Sequence, residues 1–118
     1  MGDFSLIVLN MNSTKAAVSN NDLPDMAEGY FVLDSQLNKV SGTIYDISVF
    51  FGAGNIFSTT KDLYLLDRGL SEEKILSREL IQMMYDNGYG WGTGQLNGYE
   101  WAGHNGLLDN GYSSTFLR

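Results

Sequence analysis

Apolar positions fall in short runs separated by polar and glycine-rich stretches, and these runs divide the chain into candidate elements. Residues 4–9 (FSLIVL) form a continuous apolar run that is too short for periodicity to separate helix from strand. The turn formers Asn10-Met11-Asn12-Ser13-Thr14 close it. Residues 15–28 are polar, contain Asn20-Asn21-Asp22 and the only proline, Pro24, and read as a surface loop. Residues 29–34 (GYFVLD) and 40–47 are rich in aromatic and β-branched side chains and read as two strands, with Ser35-Gln36-Leu37-Asn38 available for a hairpin connection. Gly52-Ala53-Gly54-Asn55 ends that pattern.

A helical period follows. Leu63, Leu66 and Leu70 stand at i, i+3 and i+7 and predict a helix from Thr60 to about Arg68. Thr59 and Asp62 have the spacing of a capping box, and Asp62 also suits the positive end of the helix dipole. Gly69 is the expected stop, and Ser77 the expected cap of a second helix through residues 79–84. After Asn87-Gly88, Tyr89, Trp91 and Thr93 alternate with Gly90, Gly92 and Gly94, which predicts a strand whose bare face admits another backbone. Asn97-Gly98 is a hairpin signal leading to a strand over residues 99–104. Asp109-Asn110-Gly111 is a further turn, and residues 112–117 begin a third strand in which the chain stops. The fold class expected is α+β: two or three helices packed on an antiparallel sheet, with no internal repeat or linker.

Composition narrows the functional classes. A chain of 118 residues makes one domain at most and buries roughly two thirds of its unfolded surface. Seven basic against fourteen acidic residues give a net charge of −7, which repels phosphate backbones and anionic lipid, so nucleic acid is not an expected partner. No apolar run approaches the roughly 20 residues of a membrane span. Without cysteine there is no disulfide or thiolate nucleophile, and a single histidine excludes a His-rich metal site, so neither metal nor cofactor is expected. The first residues lack the pattern of a cleavable signal peptide.

Two stretches carry candidate nucleophile chemistry. Ser58-Thr59-Thr60-Lys61 fits the Ser-x-x-Lys pattern of penicillin-binding proteins and many β-lactamases, and Ser71-Glu72-Glu73-Lys74 fits it again. Eleven serines and four lysines in 118 residues give about 0.4 matches by chance, so the pattern alone decides nothing. A lysine one turn into a helix also opposes the positive end of the dipole, which favours capping over nucleophilic catalysis at Ser58. Trp91, Trp101 and nearby tyrosines suit a sugar-stacking platform, but aromatics at strand spacing suit a core as well.

The order of blocks is more specific. "LNMNSTKAA", "DMAEGY", "GAGNIFSTTKDLYLLDRGL", "YGWGTG" and "WAGHNGLLDNGYSS" resemble, in succession, the later blocks of the serine β-lactamase and penicillin-binding protein superfamily. The likeness is to class C β-lactamase-like proteins and D-alanyl-D-alanine carboxypeptidases, and covers nearly the whole chain. It implies that "FSTTKDL" is the family's Ser-Thr-x-x-Asp-Leu helix start, with Ser58 as a cap. Tyr85-Asp86-Asn87 then only imitates the family's Tyr-x-Asn motif. That motif and the nucleophilic Ser-x-x-Lys would both precede this chain, making residues 1–118 a single partial domain of a β-lactamase/transpeptidase-like fold.

The resemblance assigns roles to one strand. Gly103-His104-Asn105-Gly106 looks like the His-x-Gly form of the family's third motif, with Asn105 where Thr or Ser is commoner. His104 would act on the substrate carboxylate and the proton network, Asn105 would donate a hydrogen bond, and Gly106 would let substrate approach the backbone. The N–H of Leu107 matches the second oxyanion-hole donor. The bland reading of His104 is a polar residue at a strand end. The parent expected is a serine acyl-transfer hydrolase of D-Ala-D-Ala peptides, β-lactams or esters, located outside the cytoplasm, with this chain inactive alone. The rival is a non-catalytic module binding peptidoglycan-like or sugar ligands. Strand edges deprived of neighbours imply self-association into a homo-oligomer.

Overall fold

Three helices and seven strands make up the described part of the chain, which in this computed structural model comprises residues 4–17, 26–40, 47–50, 52–108 and 111–118. The helices are α1 (Phe4–Val8), α2 (Thr60–Ser71) and α3 (Arg78–Asp86). The strands are β1 (Lys15–Ala16), β2 (Tyr30–Leu33), β3 (Gln36–Lys39), β4 (Ile56–Phe57), β5 (Gly92–Leu96), β6 (Tyr99–Leu108) and β7 (Tyr112–Leu117). They form three small sheets, β1-β4, β2-β3 and β5-β6-β7, so the class is α+β with antiparallel pairing. The chain divides into two compact units: residues 1–14, 58–104 and 115–118, and residues 15–57 and 105–114.

In the first unit each helix ends in the same way. Asn10, Glu73 and Gly88 have φ of 56°, 56° and 64°, and each carries a Schellman pair of backbone bonds. Met11 N–H donates to the Leu6 carbonyl at 2.9 Å, Lys74 to Gly69 at 2.9 Å and Tyr89 to Met84 at 2.9 Å. Gly88 and Asn10 are residue types such an end favours, and Glu73 is not. The helix expected to stop at Gly69 therefore runs on to Ser71. Gly69 serves packing instead: a Cβ there would lie 2.3 Å from Leu9 Cδ2, and Leu9, Leu70 and Met11 are all buried. Ser77 caps α3 as expected, its hydroxyl accepting from Leu80 N–H.

The sheet of the first unit follows its turn. Asn97 and Gly98, at φ of 52° and 84°, make the two-residue connection that pairs Leu96 with Tyr99 and runs to Gly92 opposite Gly103. Side-chain alternation then separates two faces. One carries Thr93, Gln95, Glu100 and Ala102, and the helices lie on it, because Arg118 beside Ala102 reaches both α2 and α3. The Arg118 guanidinium meets the Asp67 carboxylate at 2.9 Å and donates to Tyr85 Oη and Ser71 Oγ at 2.6 Å each. The other face carries Gly92, Gly94, Leu96, Tyr99, Trp101 and Gly103. The bare stretch expected to admit a backbone admits the Trp101 ring: a Cβ on Gly94 would fall 2.8 Å from it.

In the second unit the sequence pattern and the pairing diverge. Lys15 and Ala16, expected in a loop, pair with Phe57 and Ile56. Ala17 beyond them is fully buried, exchanging its N–H and carbonyl with the backbone and side chain of buried Asn55. The β2-β3 hairpin turns at Asp34-Ser35, with φ of 49° and 62°, so residues read as the connection form the second strand. Of the strand expected over residues 40–47, residues 41–46 lie outside the described part and Ile47 begins a short 3-10 helix, Ile47–Phe50. At the hairpin base, hydrogen bonds from Lys39 and then Tyr30 hold the Glu28 carboxyl below its ordinary range.

Two substitutions at helix termini should act in opposite directions. Gly69→Ala forces a methyl into Leu9 and is expected to cost about 1–3 kcal/mol in urea denaturation. Glu73→Gly relieves a left-handed conformation and is expected to stabilise by about 0.5–1 kcal/mol, despite losing the exposed Arg78 ion pair.

Candidate functional site

The residues singled out by sequence are consecutive on β6. His104 and Asn105 are exposed, Gly106 is half-buried and Leu107 is largely exposed. His104 ends the first unit; Asn105, Gly106 and Leu107 belong to the second. Alternation puts the side chains of His104 and Asn105 on opposite faces of the strand. Ala102 and Arg118 exchange both backbone bonds at 3.0 and 2.9 Å, which directs the even-numbered positions of β6 toward β7. Gly103 faces Gly92, the first residue of β5. Gly106 has a local reason to be glycine, since a Cβ there would lie 2.7 Å from Ser114 Oγ.

Both nucleophile patterns are absorbed by structure. The cap of α2 is Thr59 rather than Ser58: its hydroxyl accepts from Asp62 N–H at 3.2 Å. The other half of the capping box does not form, because the Asp62 carboxylate turns to the segment before β1. It accepts from Ser13 N–H and from the Thr14 hydroxyl at 2.8 Å each, and Asp62 is 3% exposed. Ser58 joins this group through a 2.7 Å bond to Thr14 Oγ1. Lys61 is exposed and makes no hydrogen bond or ion pair among the described residues, so nothing prepares Ser58 for proton loss. In the second match, Ser71 accepts from Arg118 and Lys74 pairs with Glu72 at 2.6 Å.

Tyr85-Asp86-Asn87 closes α3 and is likewise engaged. Tyr85 accepts from Arg118, Asp86 accepts from Gln82 at 2.8 Å, and Asn87 donates to the Met83 carbonyl at 2.8 Å. The tryptophans do not share a platform. Trp91 stands edge-on to Tyr85 and Phe116, with ring centres 5.7 and 5.6 Å apart, whereas Trp101 lies over the glycines of β5.

A cleft of about 620 Å³ opens in the first unit between α3 and the β5-β6 hairpin, bounded by Gln82, Asp86, Thr93, Glu100 and Arg118 among others. Its walls come from separate elements, and no local pattern announces them. Among the described residues no cluster of three or more potential metal ligands occurs, and no helix is long and apolar enough to cross a membrane. No family model matches the chain, and comparison with curated proteins and with solved structures gives no match either.

Substitutions at the start of α2 separate cap from anchor. Asp62→Ala strands the Ser13 N–H and leaves the Thr14 hydroxyl only Ser58 as a partner, and should cost about 1–3 kcal/mol. Thr59→Ala removes only the cap and should cost about 1 kcal/mol. Denaturant midpoints at constant slope check the ranking.

Proposed function

We propose that this chain is the downstream part of a β-lactamase-related serine hydrolase, a β-lactamase/transpeptidase-like domain acting outside the cytoplasm on D-Ala-D-Ala peptides, β-lactams or esters. The reading rests on the order of its sequence blocks. The observation that carries it furthest is that His104, Asn105 and Leu107 are all exposed on β6. On this reading a substrate lies along β6. The Leu107 N–H stabilises the oxyanion during acyl transfer, Asn105 donates to the substrate, and His104 acts on its carboxylate or on the proton that moves with attack. The nucleophile comes from elsewhere, since Ser58 and Ser71 are engaged in helix-end contacts. On this reading the chain alone does not turn over substrate.

Incubation of the isolated chain with a fluorescent penicillin should leave its intact mass unchanged, and an adduct on Ser58 would overturn the assignment. The protein expressed with the coding sequence upstream of Met1 should be labelled, with His104→Ala slowing labelling by roughly 10²-fold. Absence of labelling there favours a non-catalytic module binding peptidoglycan-like or sugar ligands.

The same reading bears on assembly. The sheet face opposite the helices exposes Leu96 at 68%, Tyr99 at 79% and Leu117 at 61%, apolar surface that a complete domain would cover. Sedimentation equilibrium in about 0.15 M salt, where charge repulsion is screened beyond roughly 8 Å, should show self-association. A 13.1 kDa monomer over the micromolar range counts against the partial-domain reading.

A further inference from the structure

The cleft beside α3 plays no part in the function proposed above. At about 620 Å³ it falls within the roughly 300–1,000 Å³ of small-molecule sites. Small residues create it, for Thr93 and Ala102 are cross-strand partners on its floor. The next pair along the hairpin, Gln95 and Glu100, also lines it. Neither of these two side chains has a hydrogen-bond partner among the described residues.

The charge of this space is one-sided. Asp86 enters it from the last turn of α3, where the negative end of the helix dipole adds to the carboxylate. One Asp86 oxygen accepts from Gln82, which leaves the other available. The cation on the wall, Arg118, is already neutralised by Asp67 at 2.9 Å. Among the described residues Glu100 and Asp86 thus have no ion-pair partner, in a chain of net charge −7 that draws cations toward it. Two carboxylates fall short of the six or more oxygen ligands a calcium ion takes, whereas an ammonium or guanidinium needs only a few acceptors.

We propose that the cleft binds a small organic cation, an alkyl ammonium or guanidinium compound held by Asp86 and Glu100 and hydrogen-bonded by Gln95 and Thr93. Titration of the protein with agmatine at low salt, followed by amide NMR, tests this. Saturable shifts should be confined to residues 82–86, 93–95 and 100–102, with a dissociation constant of about 1 mM or below. Glu100→Gln and Asp86→Asn, both at exposed positions, should each weaken binding at least about tenfold. Thr93→Leu, also at an exposed position, should abolish it by filling the floor. Pentanoate, an anion of comparable length, should not bind. Shifts that fail to saturate, equal binding of pentanoate, or unchanged affinity in both charge variants would overturn the proposal.

Discussion

A single guanidinium holds the first unit together. Through its side chain Arg118 reaches Asp67 and Ser71 on α2 and Tyr85 on α3, while its backbone exchanges two bonds with Ala102 on β6. A planar fork of donors suits this task, because each bond fixes the orientation of the others. The dependence is strong because the apolar core is thin: among the described residues no large side chain is fully buried. Where burial stabilises little, hydrogen bonds to a charged group, at about 1.5–3 kcal/mol each when shielded from water, decide the geometry. Asp67 keeps 30% of its side chain exposed, so the pair contributes toward the lower end of that range.

Asp62 plays the corresponding part at the other end of α2. Its carboxylate accepts from residues nearly fifty positions away, and the chain before β1 is tied to a helix start that needs only Thr59 for its cap. A residue whose spacing suggests a purely local role thus acts at long range. Sequence spacing shows which donors a carboxylate can reach, but not which it selects. The choice depends on what tertiary structure brings nearby.

The same division marks what could be read in advance. The helical period of Leu63, Leu66 and Leu70, the Ser77 cap and the Asn97-Gly98 turn each state a local geometry, and each appears in the fold. Glu73 in a left-handed conformation and the turn at Asp34-Ser35 do not, because these residue types pay a steric cost that only their surroundings offset. Gly69 misled for the converse reason: its missing side chain makes space for Leu9 rather than ending the helix. The candidate site divides similarly. His104 could be placed on a strand from sequence, but the run of β6 on through Asn105, Gly106 and Leu107 to Leu108 could not. The cleft beside α3 exists only once helix and hairpin are packed.

The two tryptophans report on different parts of that packing. Trp91 touches Tyr85 on α3 and Phe116 on β7, a fixed asymmetric cluster of the kind that gives near-ultraviolet circular dichroism. Trp101 rests instead on the glycines of β5. An opening that lifts α3 from the sheet would erase the dichroic signal while indole emission from the hairpin persisted, and complete unfolding would change both. The chain thus carries intrinsic optical probes that distinguish partial detachment from global loss of structure.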